Sequence, residues 1–513
     1  MDFNEQQVSL FTWADQDKGS CNLIARAGTG KTTTIIELAK RIRSTENIFL
    51  GAFNKAIAEE LKTRIARPNV EAGTMHSLGF KLWRGIAKGR TEIDAKKTFG
   101  IIKRFGIFEF DKEPKNILNS AIGFAKQGGF GLKQAPSYIV HESWSELFDY
   151  HDLWDELPGY VSPEKMLEAC VKVYAESMRM CEEQDPLIDF DDMILAPLMF
   201  GAPKGMYDWV MIDEAQDTNM VRRLLAQWVL KPGGRMIAVG DPRQAIYAFA
   251  GANHDAMDLI KADMGSVELP LSITYRCPKN VVALAQTLVP DIQAHESAPE
   301  GVVRTINHKD FWKEDLRDTD VILCRNTRPL IGVAKRLRKM GIPCSVEGAN
   351  GKALIALASK WGEDIQIGQM ESKLSVYVDT QVAKWEWKNR LDKAEAIKEK
   401  QECLLDISSE LEEFDSVLSL VKHIEKMYGE KWGEDTRRIL RLCTVHRAKG
   451  REWDRVYLLG RNIYMPSKWA KKERELGQED NLVYVAWTRA KRELVEVNCK
   501  LKKNREEPEW WEL

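Results

Sequence analysis

The octet Ala25-Arg26-Ala27-Gly28-Thr29-Gly30-Lys31-Thr32 constrains what this chain can fold into more than any other stretch. It follows the apolar run 22–25 and opens a segment, 31–43, with helical periodicity. The pattern is a P-loop with Ala in place of the first Gly. Glycines let backbone N–H groups wrap a phosphate, the lysine reaches the β and γ oxygens, and the threonine hydroxyl ligates Mg²⁺. A strand, loop and helix in this order call for a parallel partner strand and so for an α/β sheet. The alternative, a Gly-rich turn before an ordinary helix, does not explain that context. ATP and Mg²⁺ are the expected cofactors. Ala27, Gly28, Thr29, Gly30, Lys31, Thr32 and Thr33 are the expected phosphate-binding residues.

Two further strand ends carry polar chemistry. Val210-Met-Ile-Asp213-Glu214-Ala-Gln216-Asp217 places two acids after an apolar run. Asp213 can enter a Mg²⁺ shell beside Thr32, and Glu214 can orient and deprotonate water. An exposed acidic loop is the competing reading, and the P-loop upstream argues against it. Gly240-Asp241-Pro-Arg-Gln244-Ala-Ile-Tyr247-Ala-Phe249 ends another run. Gln244 could sense a γ-phosphate. Tyr247 and Phe249 could stack on bases or pack into the core.

Composition narrows the class. The 513 residues suggest three or four domains, or two with large insertions. With 44% hydrophobic and 30% charged residues the chain can bury several cores. No apolar run approaches the ~18 residues of a membrane span, and the polar, acidic start is unlike a signal peptide. A cytoplasmic location, in a bacterial or phage-infected cell, is expected. The 75 basic and 77 acidic side chains nearly cancel, so any nucleic-acid site must be a local groove. The nine cysteines form no CxxC pair, and the eight histidines no HxxxH. Free, buried thiols are expected, with no zinc or iron–sulfur site.

Apolar runs and helical patterns alternate in two zones. Runs at 22–25, 48–53, 209–213 and 235–240 belong to the first, with helices at 31–43, 54–66, 218–230 and 278–288. Runs at 321–325, 441–445, 455–460 and 494–497 belong to the second, with helices near 328–340 and 479–490. The expected fold is α/β: two RecA-like parallel-sheet cores, each with a mainly helical insertion. The first core would span 1–84 and 186–270, around an insertion at 85–185. The second would span 271–345 and 435–498, around a compact insertion at 346–434, with a tail at 499–513.

These motifs, in this order, resemble a superfamily-one DNA helicase of the UvrD/Rep type. Asn4-Glu-Gln-Gln7 resembles the family's adenine-reading motif. Phe53-Asn54-Lys55 and Gly73-Thr74-Met-His76-Ser77 resemble its strand-binding motifs, and Asp189-Phe-Asp191-Asp192 a further signature. Thr274-Tyr275-Arg276 resembles the motif opening the second core. Thr444-Val-His446-Arg-Ala-Lys449-Gly450-Arg-Glu452-Trp453 is similar to the TxHxxKGxEF element, and Leu482-Val-Tyr484-Val-Ala-Trp-Thr488-Arg489-Ala490 to the YVxxTRA motif. AFNKAIAEEL and GTMHSLGF lean towards the short phage-type and F-box-helicase branch.

The resemblance implies an ATP-dependent helicase or translocase, 3′→5′ on single-stranded DNA, that unwinds duplex in replication, recombination or repair. Alternatives are a translocase that strips proteins with little unwinding, and an ATP-gated DNA-binding scaffold. By position, Lys31, Asp213, Glu214, Gln244, Arg276 and Arg489 carry catalysis, with the two arginines as fingers for the γ-phosphate. Gln7 and Tyr275 would hold adenine, and Glu452 the ribose. Phe53, Asn54, Thr74, His76, Tyr247, Phe249, Thr444 and His446 would touch DNA. His76, Phe249 and His446 can equally be packed rings. Three positions depart from the family: Thr33 and Ala250 stand where it often has Arg, and Phe53 where it often has Thr. The expected partners are single-stranded DNA and ss/ds junctions, with the chain active as a monomer.

In the first insertion, residues 85–134 hold ten Lys/Arg and five Asp/Glu with phenylalanines interleaved. That suits either a phosphate-tracking groove or a solvated helix face over a small core. The 381–428 stretch alternates acids and bases as a solvated helix pair does. The tail, Arg505-Glu-Glu-Pro-Glu509-Trp510-Trp511-Glu512-Leu513, either folds back on the second core or docks on a replication or repair protein.

Overall fold

The computed structural model describes residues 3–16, 19–108, 112–132, 143–246, 255–347, 350–387, 391–428 and 439–499. The tail tryptophans, Tyr247 and Phe249 lie outside the described residues. The chain divides into two compact units, the first of Met1–Arg26 and Gly30–Ser272 and the second of Ile273–Leu513 together with Ala27–Thr29.

The first unit holds a six-stranded sheet of β1 (Cys21–Ala25), β2 (Ile48–Ala52), β3 (Val70–Thr74), β4 (Tyr207–Ile212), β5 (Leu230–Gly240) and β6 (Val267–Leu271), in the order β3-β2-β4-β5-β1-β6. Every pairing is parallel. Parallel strands need helices on both faces, which explains why the central runs are apolar throughout rather than alternating. Successive residues serve opposite cores. Phe49, Val210, Ile212, Met236 and Ala238 face one. Ile48, Leu50, Trp209, Met211, Ile237 and Val239 face the other, with Leu10, Ile35 and Leu61 from the covering helices. At ~1.5–3 kcal/mol per buried large apolar side chain, these two layers dominate the unit's stability.

The second unit repeats the plan. Its sheet comprises β7 (Val302–Asn307), β8 (Asp320–Cys324), β9 (Cys344–Glu347), β10 (Leu440–Thr444), β11 (Trp453–Leu459) and β12 (Ala490–Asn498), ordered β7-β12-β11-β8-β10-β9 and again wholly parallel. The sequence-predicted helix at 278–288, assigned to the first zone, forms as Lys279–Ala285 and belongs to this unit. All nine cysteines are buried and unpaired. Among the described residues, no helix is long and apolar enough to cross a membrane.

Helices Lys97–Arg104, Lys112–Gln127, Trp144–Tyr150 and Pro163–Cys181 share one continuous core with a face of the first sheet. In the second unit, helices Asn350–Ala358, Ile367–Trp387, Leu391–Ser408 and Val417–Tyr428 enclose a core of their own, reached from the sheet side through Ile331.

The basic excess of the first insertion is partly spent inside it. Lys97 is 1% exposed, and its Nζ lies 2.7 Å from Asp192 Oδ2 and 2.7 Å from the Ser177 carbonyl. Lys126, also 1% exposed, lies 2.5 Å from Asp189 and 2.8 Å from Asp192. Burial alone would raise the Asp192 carboxyl, but the charges of Lys126 and Lys97 hold it below its ordinary value. The Lys126 ammonium is likewise held above its own, its two aspartates overcoming burial. These two lysines therefore do not line a groove. Phe124 stacks on His151 at 3.9 Å, and Phe105 and Phe108 pack against the same core.

Removing one member should strand a buried charge. Lys126→Met is expected to destabilise the first unit by about 3–5 kcal/mol, read from its urea midpoint. A lowered carboxyl stabilises above the unfolded value near pH 4, and a raised ammonium stabilises below the unfolded value near 10.4. The deficit should therefore be constant between about pH 5 and 9 and shrink below pH 4.

Candidate functional site

In the first unit the sequence-predicted residues gather where strands end. After β1, Gly28 and Gly30 adopt left-handed backbone, with φ of 73° and 81°. Gly30 caps helix Lys31–Arg41 without a side chain, leaving its first N–H groups to face the loop, an anion cradle. Thr32 and Thr33 are half-buried in that first turn. Gln7 is buried against the helix. Its Oε1 accepts from Asn4 N at 3.0 Å and its Nε2 donates to Thr34 Oγ1 at 2.8 Å.

After β4, Asp213 and Glu214 turn towards that loop. Lys31 Nζ stands 3.4 Å from Glu214 Oε1. Glu214 sits at φ 52°, rare for a side chain other than Gly, Asn or Asp. Its N–H donates to Asp213 Oδ1 at 3.0 Å. Burial and then the Glu214 charge push the Asp213 carboxyl up to about 7. Such a carboxylate favours a cation beside it. Among the described residues no three His, Cys, Asp or Glu side chains converge as a metal cage. A threonine hydroxyl and a carboxylate are hard oxygen donors of the kind Mg²⁺ takes, so Thr32 and Asp213 fit that ion, which draws the rest of its shell from phosphate and water. After β5, Asp241 is fully buried, and Gln244 Nε2 donates to its Oδ2 at 2.8 Å.

The strand-binding candidates follow β2 and β3. Phe53 is 51% exposed. Asn54 and Thr74 cap the helices Lys55–Ile65 and Met75–Ile86, accepting from Ile57 N at 2.9 Å and Ser77 N at 3.1 Å. His76 is half-buried, and burial with the Arg222 charge lowers it to about 4. Its ring meets Phe190 edge-on at 6.5 Å. Phe190 is 54% exposed between the locked Asp189 and Asp192, and the sequence reading gave it no role. An aromatic flanked by acids was the available signal.

In the second unit, Tyr275 is half-exposed and its ring lies 4.7 Å from His295. Arg276 and Glu452, expected to take different ligand groups, pair with each other at 2.5 Å. Arg489 is 1% exposed. It donates to the carbonyls of Val485 at 2.8 Å and Arg451 at 3.1 Å, and to Thr488 Oγ1 at 3.1 Å. Thr444 is the N-cap residue of the short helix Val445–Ala448, in extended backbone. His446 is half-buried, and burial, then the Arg325 charge, lowers it to about 4.

Two parallel sheets, one ending in a P-loop faced by paired acids, define a RecA-like P-loop architecture. Comparison with known proteins agrees. Residues 4–265 match the UvrD/REP helicase N-terminal domain, and residues 362–500 match the UvrD-like helicase C-terminal domain. The chain belongs to the UvrD/Rep helicase family. It is 26% identical over 509 residues to F-box DNA helicase protein 1 of Schizosaccharomyces pombe, covering 92% of this chain and 54% of that protein. It is 26% identical over 321 residues to a probable DNA helicase II homolog of Mycoplasma pneumoniae, covering 58% and 43%. It is 23% identical over 300 residues to the ATP-dependent DNA helicase Rep of Escherichia coli, covering 53% and 41%. The chain spans about half the length, or less, of these relatives.

Both lowered histidines are uncharged at neutral pH. NMR titration of His76 and His446 should give midpoints below 5. Since their folded values lie below the unfolded ~6.5, both should erode stability as pH falls through that value.

Proposed function

We propose that the chain is an ATP-hydrolysing DNA motor that moves 3′→5′ along single-stranded DNA and opens ss/ds junctions in replication, recombination or repair. One observation carries the hydrolytic part: Lys31 of the P-loop lies 3.4 Å from Glu214, itself bonded to the buried Asp213. A merely ATP-gated scaffold has no use for that pair. Membership of the helicase family supports DNA as the track, and the polarity and pathway are proposed by analogy with that family alone.

The proposed chemistry is an in-line displacement. Glu214 takes a proton from water as its oxygen bonds to the γ-phosphorus, and the bond to the β-bridging oxygen breaks. The backbone of 27–33 and Lys31 hold the triphosphate, and Gln244 contacts the γ-phosphate. Thr32 and Asp213 hold Mg²⁺, which supplies charge neutralisation when bound. A role for Arg276 and Arg489 in neutralising developing charge rests on family membership alone; such arginines contribute ~10³–10⁵ in rate in other phosphoryl-transfer enzymes. For Gln7 and Tyr275 at adenine and Glu452 at the ribose, the roles rest on family membership alone. The proposed strand contacts are Phe53, Asn54, Thr74, His76, Phe190, Tyr247 and Phe249 in the first unit and Thr444 and His446 in the second, assigned from family membership.

Glu214→Gln should retain ATP binding while kcat falls by about 10²–10⁴. Near-normal turnover in that variant would remove Glu214 as the base. Single-stranded DNA should stimulate the ATPase, and log K for DNA should fall linearly with log salt at about −0.7 per phosphate contacted. Turnover indifferent to DNA would sink the motor. Strand displacement on 3′- and 5′-tailed duplexes decides polarity and separates unwinding from translocation alone.

A further inference from the structure

Gln216 has no part in the proposed reaction, yet it is 2% exposed and lies between the two strand ends that carry the acids. Its neighbours dictate how its amide is turned. The Asp241 backbone N–H can only donate, so the Gln216 atom 3.0 Å away is the oxygen. The amide nitrogen therefore points to the Glu214 carboxylate, which can only accept, at 2.6 Å from Oε2. It also lies 3.5 Å from Asp217 Oδ2. β5 ends in glycine for the same reason: a Cβ on Gly240 would stand 2.3 Å from Gln216 Oε1.

The chain of contacts continues beyond Asp241. Its Oδ1 accepts from Arg26 Nη1 at 2.9 Å and from Arg243 N at 3.1 Å, while its Oδ2 accepts from Gln244. The hydrogen bonds thus run from Arg26, at the mouth of the P-loop, through Asp241 and Gln216 to Glu214. Gln244 joins the same carboxylate three residues before Tyr247. Buried, charge-assisted networks of this kind resist partial disruption.

The two Glu214 oxygens have different holders, Lys31 for Oε1 and Gln216 for Oε2. A triphosphate competes for Lys31 but not for the Gln216 amide. Oε1 is therefore the oxygen that can be released to water, while Oε2 stays fixed.

We propose that Gln216 and Arg26 are positioning residues for hydrolysis. Gln216 fixes the Glu214 carboxylate so that Oε1 faces the attacking water, and Arg26 anchors the Asp241 hub that joins this base to Gln244. The proposal rests on Glu214 being the base.

The test is steady-state ATPase of the full chain, with and without single-stranded DNA. Gln216→Leu should lower kcat by about 10–100-fold, part of the ~10²–10⁴ that a positioned base contributes, with KM for ATP within threefold. Gln216→Glu keeps the length but sets a carboxylate against Glu214, so it should be no more active than the Leu variant. Arg26→Ala should lower the DNA-stimulated rate, and Arg26→Lys, which can still pair with Asp241, should restore most of it. Combined with Gln216→Leu, Arg26→Ala should add little, because both act through one chain. Melting temperature is measured for each variant, and if Gln216→Leu does not fold, the isosteric Gln216→Glu decides. Gln216 variants within twofold of wild type, or strictly additive losses, overturn the proposal. If Glu214→Gln itself keeps turnover, the base assignment fails first; if only the Gln216 variants do, the positioning alone is wrong.

Discussion

Every pairing in both sheets is parallel, and that constraint decides where chemistry can sit. Parallel strands send all their C-terminal ends to one edge, where backbone turns from strand to helix and polar groups escape the apolar layers. In the first unit that edge collects the P-loop after β1, Phe53 after β2, His76 after β3, Asp213 after β4 and Asp241 after β5. Residues separated by two hundred positions become neighbours because their strands are. The second unit uses both edges. Thr444 ends β10 and His446 follows it, whereas Glu452 and Arg489 immediately precede β11 and β12. The pairing of Trp453 with Ala490 sets those two side by side, and Trp453 N donates to the Arg489 carbonyl at 3.0 Å.

The insertion of the first unit is held by charge rather than by apolar packing alone. Burying two lysines and two aspartates costs solvation, which apolar replacements of equal volume would avoid. What the arrangement provides is direction. Asp189 and Asp192 cross-cap each other's backbone, at 3.0 and 2.9 Å, and lysines from two insertion helices clamp them. The residue between them that reaches solvent is Phe190, beside His76. The same helices that complete the core thus fix an exposed ring beside His76.

Much of this was legible before any coordinates. The P-loop, the strand ending in paired acids and the central apolar runs carry local chemistry and strong patterning, and the structure has strands at each of those runs. The edge strands were not read. β3 (VEAGT) is half-buried along its length, β6 contains Pro270, and β7 (VVRTIN) is largely solvated, so none shows the continuous apolar run of a central strand. Lys97 and Lys126 were counted among surface charges because sequence shows a residue's charge but not its partner. Asp189 and Asp192, at ninety and sixty residues' distance, are visible as partners only after folding. The Arg276–Glu452 pair escaped for the same reason.

Those pairings share a logic. Lys31 on Glu214, Arg276 on Glu452 and Arg26 on Asp241 are cations beside a P-loop or a family motif, each satisfied by an acid of its own unit. They differ in burial. The Lys31 and Arg276 side chains are 13% and 19% exposed, with partners at 23% and 44%, so an incoming anion can exchange for either acid at modest cost. Asp241 is 0% exposed, and removing its partner would leave a charge with no solvent to receive it. Two of the three pairs are therefore built to exchange and one to persist. Asp241 is instead held from several sides at once, by Arg26, Gln244 and the backbone N–H that meets Gln216, so losing one contact leaves the carboxylate still fixed in place.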